Sequence, residues 1–290
     1  MNLLRSTILS ILMIAFLIGC ESSTSASSDS SSSVASSSSS VVKSSSSSAK
    51  SSSSEAMSSS SSAKSSSSNA ISSSSFSSIV YSTIKDARDN QTYRIVTIGS
   101  QTWMAENLKY LPSVVGPRTG SKTTPHYYVY GYNGTNVTDA KATANYNTYG
   151  VLYNWPAAMN GAASSTTNPS GVQGVCPDGW HLPSDAEWTE LTDYLGGTID
   201  AGGKLKETGT THWNSPNTST TNETGFTALP GGVRDLDGTF DVIGYNGYWW
   251  SATEFNASNA WYRRMYYYYS FVDIPYVNKG VGFSVRCVRD

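Results

Sequence analysis

The sequence predicts an α+β domain of short strands with one or two helices and long loops, carried behind a disordered serine-rich tether. Three observations predict it. All 8 Trp and all 19 Tyr lie at or after Tyr81, which confines the core-forming sequence to roughly 210 residues, enough to bury a substantial interior. Within that stretch, alternating or glycine-bounded apolar runs outnumber helical patterns. A single segment carries a full set of helix start and stop signals.

The 290 residues hold 19 Lys and Arg against 21 Asp and Glu, a net charge of -2 with 14% charged residues. No block of Lys or Arg supplies the clustered positive field that phosphates need, so nucleic acid is not an expected partner. Three cysteines are too few for a multi-cysteine zinc site.

Residues 1–19 read as an export leader, with Arg5 before an apolar run from Ile8 to Ile18. The run falls short of the roughly 20 apolar residues that span a bilayer. Leu17-Ile18-Gly19-Cys20 resembles the bacterial lipobox, in which cleavage leaves the cysteine thiol carrying diacylglycerol. Each buried acyl CH₂ contributes about 0.8 kcal/mol, so Cys20 is expected to be the lipid anchor and the protein's only membrane contact. Glu21 rather than Asp follows it. The inner-membrane retention signal of some bacterial lipoproteins is therefore missing, and the expected location is the outer membrane, exposed at the cell surface.

Residues 20–78 are serine blocks broken by short inserts such as Ala49-Lys50 and Ala63-Lys64. Units with so little apolar content cannot stack as a solenoid. A flexible coil of this length spans an r.m.s. distance of roughly 40 Å, which makes the segment a tether, with or without O-linked sugars.

The folded domain is expected over residues 79–290. Residues 93–98 alternate, Gly99-Ser100 turns, and residues 101–104 return, a hairpin signal. Residues 112–148 are polar and without sustained period, so they read as a long loop. Ser184 and Glu187 form a capping box, Trp188, Leu191 and Leu195 share one apolar face, and Gly196-Gly197 ends the helix. Glycine-bounded runs at 225–229, 247–251, 260–266 and 282–288 then read as strands. Cys176 and Cys287 lie in an exported domain, where pairing is favoured over two free thiols.

Several blocks together resemble the Fibrobacter succinogenes major paralogous domain family: YRIVTIGSQTWMAENL (93–108), YGVLYNWPAAM (149–159), CPDGWHLPSDAEWTEL (176–191), GFTALPGGVR (225–234), GYWWSATE (247–254) and GFSVRCVRD (282–290). Members are exported or lipid-anchored surface proteins without an established activity. LPSDAEW (182–188) and GFSVR (282–286) are more distantly similar to the formylglycine-generating-enzyme branch of the C-type-lectin-like fold. That likeness implies a C-type-lectin-like domain of short twisted strands with display loops. The cysteine chemistry of that branch does not carry over, because the domain holds only Cys176 and Cys287.

An enzyme would use His126, His181 or His212 with Asp178, Asp185 or Glu187, but His181 sits in a structural motif and the other two in loops, so no catalysis is expected. Asp235, Asp237 and Asp241 flank Gly238 at alternate positions, an arrangement that suits a hard cation such as calcium. The competing reading is a plain turn in which Asp side chains bond the backbone; the closing glutamate of an EF-hand and the Glu-Pro-Asn motif of sugar-binding lectins are missing. No other cofactor is expected. Asn133, Asn136, Asn217, Asn222 and Asn256 open Asn-X-Ser/Thr triplets, read here as polar loops.

The segment WYRRMYYYYSFVDIPY (261–276) carries the functional expectation. Along a strand, Tyr266 and Tyr268 point one way and Tyr267 and Tyr269 the other, and both faces can hardly be core. Tyrosine gives rigid amphipathic contact area, as in antibody paratopes. Trp261, Tyr262, Arg264, Tyr266 and Tyr268 are therefore expected to form a ligand-contacting face for a glycan or protein. The expected function is a non-catalytic recognition module; the alternative is a structural envelope or matrix lipoprotein whose tyrosines are half core and half merely solvated.

Overall fold

The computed structural model describes residues 78–289; the leader, the Cys20 anchor and the serine-rich tether up to residue 77 lie outside them. Strands β1 (Ser82–Lys85), β2 (Thr92–Ile98) and β3 (Gln101–Met104) form an antiparallel meander. The β2–β3 hairpin has the expected register, Ile98 opposite Gln101, around a two-residue turn in which Gly99 takes φ 63°. A β-carbon at Gly99 would also press on the Tyr194 ring.

Residues 112–148, expected as loop, contain β4 (Tyr127–Tyr128), α1 (Val137–Lys141) and the start of α2 (Ala144–Tyr149). The two helices begin at side-chain caps: Asn136 Oδ1 accepts from the Thr138 and Asp139 N–H groups, and Thr143 Oγ1 from that of Tyr146. Then come β5 (Leu152–Tyr153), paired with β4, and α3 (Trp155–Met159).

Helix α4 (Asp185–Tyr194) has the expected capping box. The Glu187 N–H donates to Ser184 Oγ at 3.2 Å, and the Ser184 N–H to Glu187 Oε2 at 2.8 Å. Trp188, Leu191 and Leu195 are buried on its inner face. A second helix, α5 (Thr198–Leu205), follows in a stretch to which the sequence assigns no element.

Strands β6 (Val233–Arg234) and β7 (Phe240–Asp241) form a small hairpin. The long hairpin of β8 (Asn246–Asn256) and β9 (Asn259–Tyr266) is flanked by β10 (Val272–Asp273) and β11 (Tyr276–Asn278), both antiparallel to β9. Strand β12 (Val288–Arg289) closes the first sheet beside β3. The runs at 225–229 and 282–287 do not form extended strands. They make isolated bridges instead, because Phe283 exchanges hydrogen bonds with Tyr153 while Ser284 donates to the Tyr248 carbonyl and accepts from Trp250.

The result is a mixed α and β fold of small antiparallel sheets with few helices. Among the described residues, no helix is long and apolar enough to cross a membrane. One buried cluster gathers Tyr93, Tyr153, Trp155, Trp250, Tyr262 and Phe283; the other gathers Trp103, Trp188, Trp213, Phe226 and Trp249. Cys176 and Cys287 are joined as a disulfide, Cα to Cα 5.9 Å. It holds the C-terminal strand beside the segment leading into α4, where His181 and Val288 exchange backbone hydrogen bonds.

Candidate functional site

Strand β9 lies between β8 on one side and β10 and β11 on the other. Tyr262, Arg264 and Tyr266 face Trp250, Tyr248 and Asn246 across β8. Trp261, Arg263 and Met265 point to the opposite face. The strand therefore divides the set expected to act as one surface.

Tyr262 is core, only 6% exposed, with its ring centroid 4.7 Å from that of Phe283. This corrects its expected place in the ligand face. The cause is Phe283, which the closing motif lays over this end of the strand, stacked 4.7 Å from Tyr248. Trp261 is turned to the other face, where it meets Phe255 and Tyr276 edge-on while those two stack at 3.7 Å.

Arg264 and Tyr266 run past the Phe283 cover. Arg264 pairs with Asp273 opposite it on β10, and its guanidinium lies 4.6 Å over the Tyr266 ring. Burial pushes the Tyr266 phenol up to about 12. This part of the surface is consequently aromatic, hydrogen-bonding and close to neutral.

Strand β9 ends at Tyr266, and the chain turns at Tyr267 and Tyr268. The two-face alternation expected as far as Tyr269 therefore stops short. Tyr268 and Tyr269 are 43% and 40% exposed. Their rings lie 4.1 Å apart, and Tyr269 continues to Phe271 at 4.6 Å and to Tyr266 at 5.6 Å. Tyr267 sits edge-on to Tyr245 at 5.2 Å. Tyr245, the four tyrosines and Phe271 make one aromatic group, the tyrosine tip, at the open end of the β8–β9 hairpin, opposite its turn at 257–258. Tyr269 and Phe271 lay within the run that the sequence singles out, whereas nothing local marks Tyr245, which is brought in by the β8–β9 register.

The other candidate residues stay apart. His181 Nε2 bonds Glu187 Oε1, and the other oxygen of the buried Glu187 accepts from the Ser184 and Ser170 N–H groups. His212 Nδ1 lies 2.8 Å from Glu207, and His126 Nδ1 is 3.5 Å from the Tyr128 hydroxyl. Asp178 accepts from Gln173, and Asp185 takes Arg263. Among the described residues no Ser, Thr or Cys side chain bonds a histidine ring.

Asp235, Asp237 and Asp241 each accept from nearby backbone, at Leu236, Thr239 and Val242. Among the described residues no group of three or more His, Cys, Asp or Glu is arranged to hold a metal ion. In each case it is Oδ1 that accepts, as in a plain turn whose Asp side chains bond the backbone.

Among families of known sequence, the one described as the Fibrobacter succinogenes major domain matches residues 96–289. No curated protein and no solved structure matches the chain.

Proposed function

Because the chain belongs to the Fibrobacter succinogenes major domain family, and the open end of its β8–β9 hairpin carries a partly exposed aromatic group, we propose that it is a non-catalytic recognition module. It is held by a lipid on Cys20 at the outer membrane and displayed at the cell surface, and it binds a glycan or protein ligand through the tyrosine tip. Its scaffold is a C-type-lectin-like domain, as the LPSDAEW and GFSVR motifs suggest.

The observation that carries this reading is the exposure of Tyr268 and Tyr269 within a continuous aromatic group beside which Arg264 is neutralised by Asp273. Exposed aromatic groups of this kind mark interaction surfaces. Phenol rings stack on the apolar face of a sugar or fill a protein pocket, and their hydroxyls bond the polar rim. Near neutrality disfavours polyanions, which need clustered positive charge.

The mutual packing of these rings favours the second reading, a structural envelope component, since each tyrosine already buries part of its surface on a neighbour. A screen of purified protein carrying Cys20→Ser separates the two. On an array of neutral and acidic oligosaccharides, and against a detergent extract of cell-surface proteins, a recognition module retains a narrow set of ligands. A folded protein that retains none is the structural component.

A further inference from the structure

Lys206 follows the last residue of α5, and its side chain is fully buried. Among the described residues no carboxylate pairs with it. Its ammonium instead donates to the Tyr266 carbonyl at 2.7 Å and the Tyr269 carbonyl at 2.8 Å, with the Thr218 carbonyl at 3.5 Å. Trp213 supplies a ring face 5.3 Å away. A buried cation without an anion is unfavourable unless its protons are all placed. An apolar side chain of similar length would fill the same space without that penalty, so packing alone does not account for a lysine here.

The carbonyls it joins are the first and fourth of the tyrosine turn. Two carbonyl dipoles converging on one point repel each other unless a donor sits between them, and an ammonium is a compact donor with three protons. The rest of the turn is also held from outside. The Tyr267 carbonyl accepts from the Thr218 N–H at 2.9 Å and the Ser270 carbonyl from the Gly203 N–H at 3.0 Å, while the Tyr267 N–H donates to the Tyr245 carbonyl at 2.8 Å. None of these bonds uses a tyrosine side chain.

We propose that Lys206 is the positioning residue of the tyrosine tip: by tying the Tyr266 and Tyr269 carbonyls to the end of α5, it fixes the direction in which the Tyr268 and Tyr269 rings are presented. The purpose of the tie rests on the recognition reading above, whereas the tie itself does not depend on any ligand. Burial pushes the Lys206 ammonium down to about 8, in keeping with a charge held away from water.

The test is Lys206→Met in the purified protein, which keeps the length of the side chain and removes the donors. Amide hydrogen exchange should quicken at least about tenfold at Gly203, Thr218 and Tyr267 while Trp188 and Leu195 of the α4 region keep their protection. Unchanged exchange at the three turn amides, or an equal rise everywhere, would overturn the tie. If this variant does not fold, the unaltered protein decides: a tied ammonium shows slowly exchanging Nζ protons by NMR at neutral pH, and a lysine exchanging as fast as a free one sinks the proposal. For any array oligosaccharide retained by the unaltered protein, Lys206→Met should weaken retention about tenfold or more. Full retention on a loosened turn would refute the positioning role while leaving the recognition reading intact.

Discussion

Arg286 lies fully buried, and its guanidinium donates to the Met104 and Phe226 carbonyls and to Asn107 Oδ1. Burial pushes it down to about 9. The sequence marks this arginine only as part of a closing motif; its role as a clamp depends on carbonyls more than 50 positions away in the chain and cannot be read locally. Arg286→Met should cost about 2 to 4 kcal/mol, since it leaves several buried acceptors unpaired, and thermal unfolding measures it. The sequence places His181 in a structural motif, and in the fold its ring bonds Glu187 of the capping box. His181→Ala should cost about 1 to 3 kcal/mol; turnover of a polysaccharide or peptide that vanished in this folded variant would contradict the non-catalytic reading. Titration adds a signature of its own. Tyr146 and Tyr262 are pushed up to about 12 by burial, and Tyr93 and Tyr153 are raised as well. The unfolded chain loses these phenolic protons near pH 10 while the folded one keeps them, so stability present below pH 10 should fall as pH rises towards 12. Lys206 acts oppositely. Between pH 8 and about 10.5 the unfolded lysine holds the proton that the folded one releases, so its contribution rises with pH. Arg286, lowered to about 9, adds to this rise, so Lys206→Met should lessen the climb in urea midpoint between pH 8 and 10 without abolishing it, and should leave the drop above pH 10 in place.

Elements with strong local signals were legible: the 93–104 hairpin through its alternation and Gly99, and α4 through its capping box. Helix α5 was not, because Gly202 and Gly203 lower helix propensity by about 1 kcal/mol each and make TIDAGGKL resemble a loop. Tertiary packing explains them. A β-carbon at Gly202 would lie 2.6 Å from the Ser270 carbonyl oxygen, and one at Gly203 2.4 Å from that of Ser219. Gly202→Ala should thus destabilise by about 1 to 3 kcal/mol through overpacking, although propensity alone argues for a gain. A higher unfolding temperature in this variant would show that the backbone contact is dispensable. Helices α1 and α2 are too short for periodicity to declare, and their side-chain caps, Asn136 and Thr143, emerge only in the fold. The aromatic surface was half legible. Its residues stood in one run, yet the end of β9 and the Phe283 cover, both set by partners distant in sequence, decided that Tyr262 is core and Tyr269 exposed.

At the scale of the whole molecule, one covalent link joins residues 111 positions apart. Closing so long a loop contributes about 4 to 5 kcal/mol in the chain-entropy model, so reduction should lower the unfolding temperature markedly. Intact-mass analysis without reductant should find no free thiol at Cys176 or Cys287. Cys20→Ser should move the protein from the membrane fraction to the soluble one; unchanged membrane retention would contradict the anchor. On the proposed function, the scaffold presents the exposed Tyr268 and Tyr269 rings beside the core, and the separation of binding from folding at these two residues is the central claim. Its most direct measurement is the double variant Tyr268→Ser, Tyr269→Ser, assayed in parallel for thermal unfolding and for retention of the oligosaccharide or surface protein that the unaltered chain binds. Exposed substitutions shift stability by about 0.5 kcal/mol or less, whereas truncating an anchor at a binding face costs about 2 kcal/mol or more. The account predicts lost retention with unchanged unfolding; a collapsed fold, or a stable variant that binds as well as before, would contradict it.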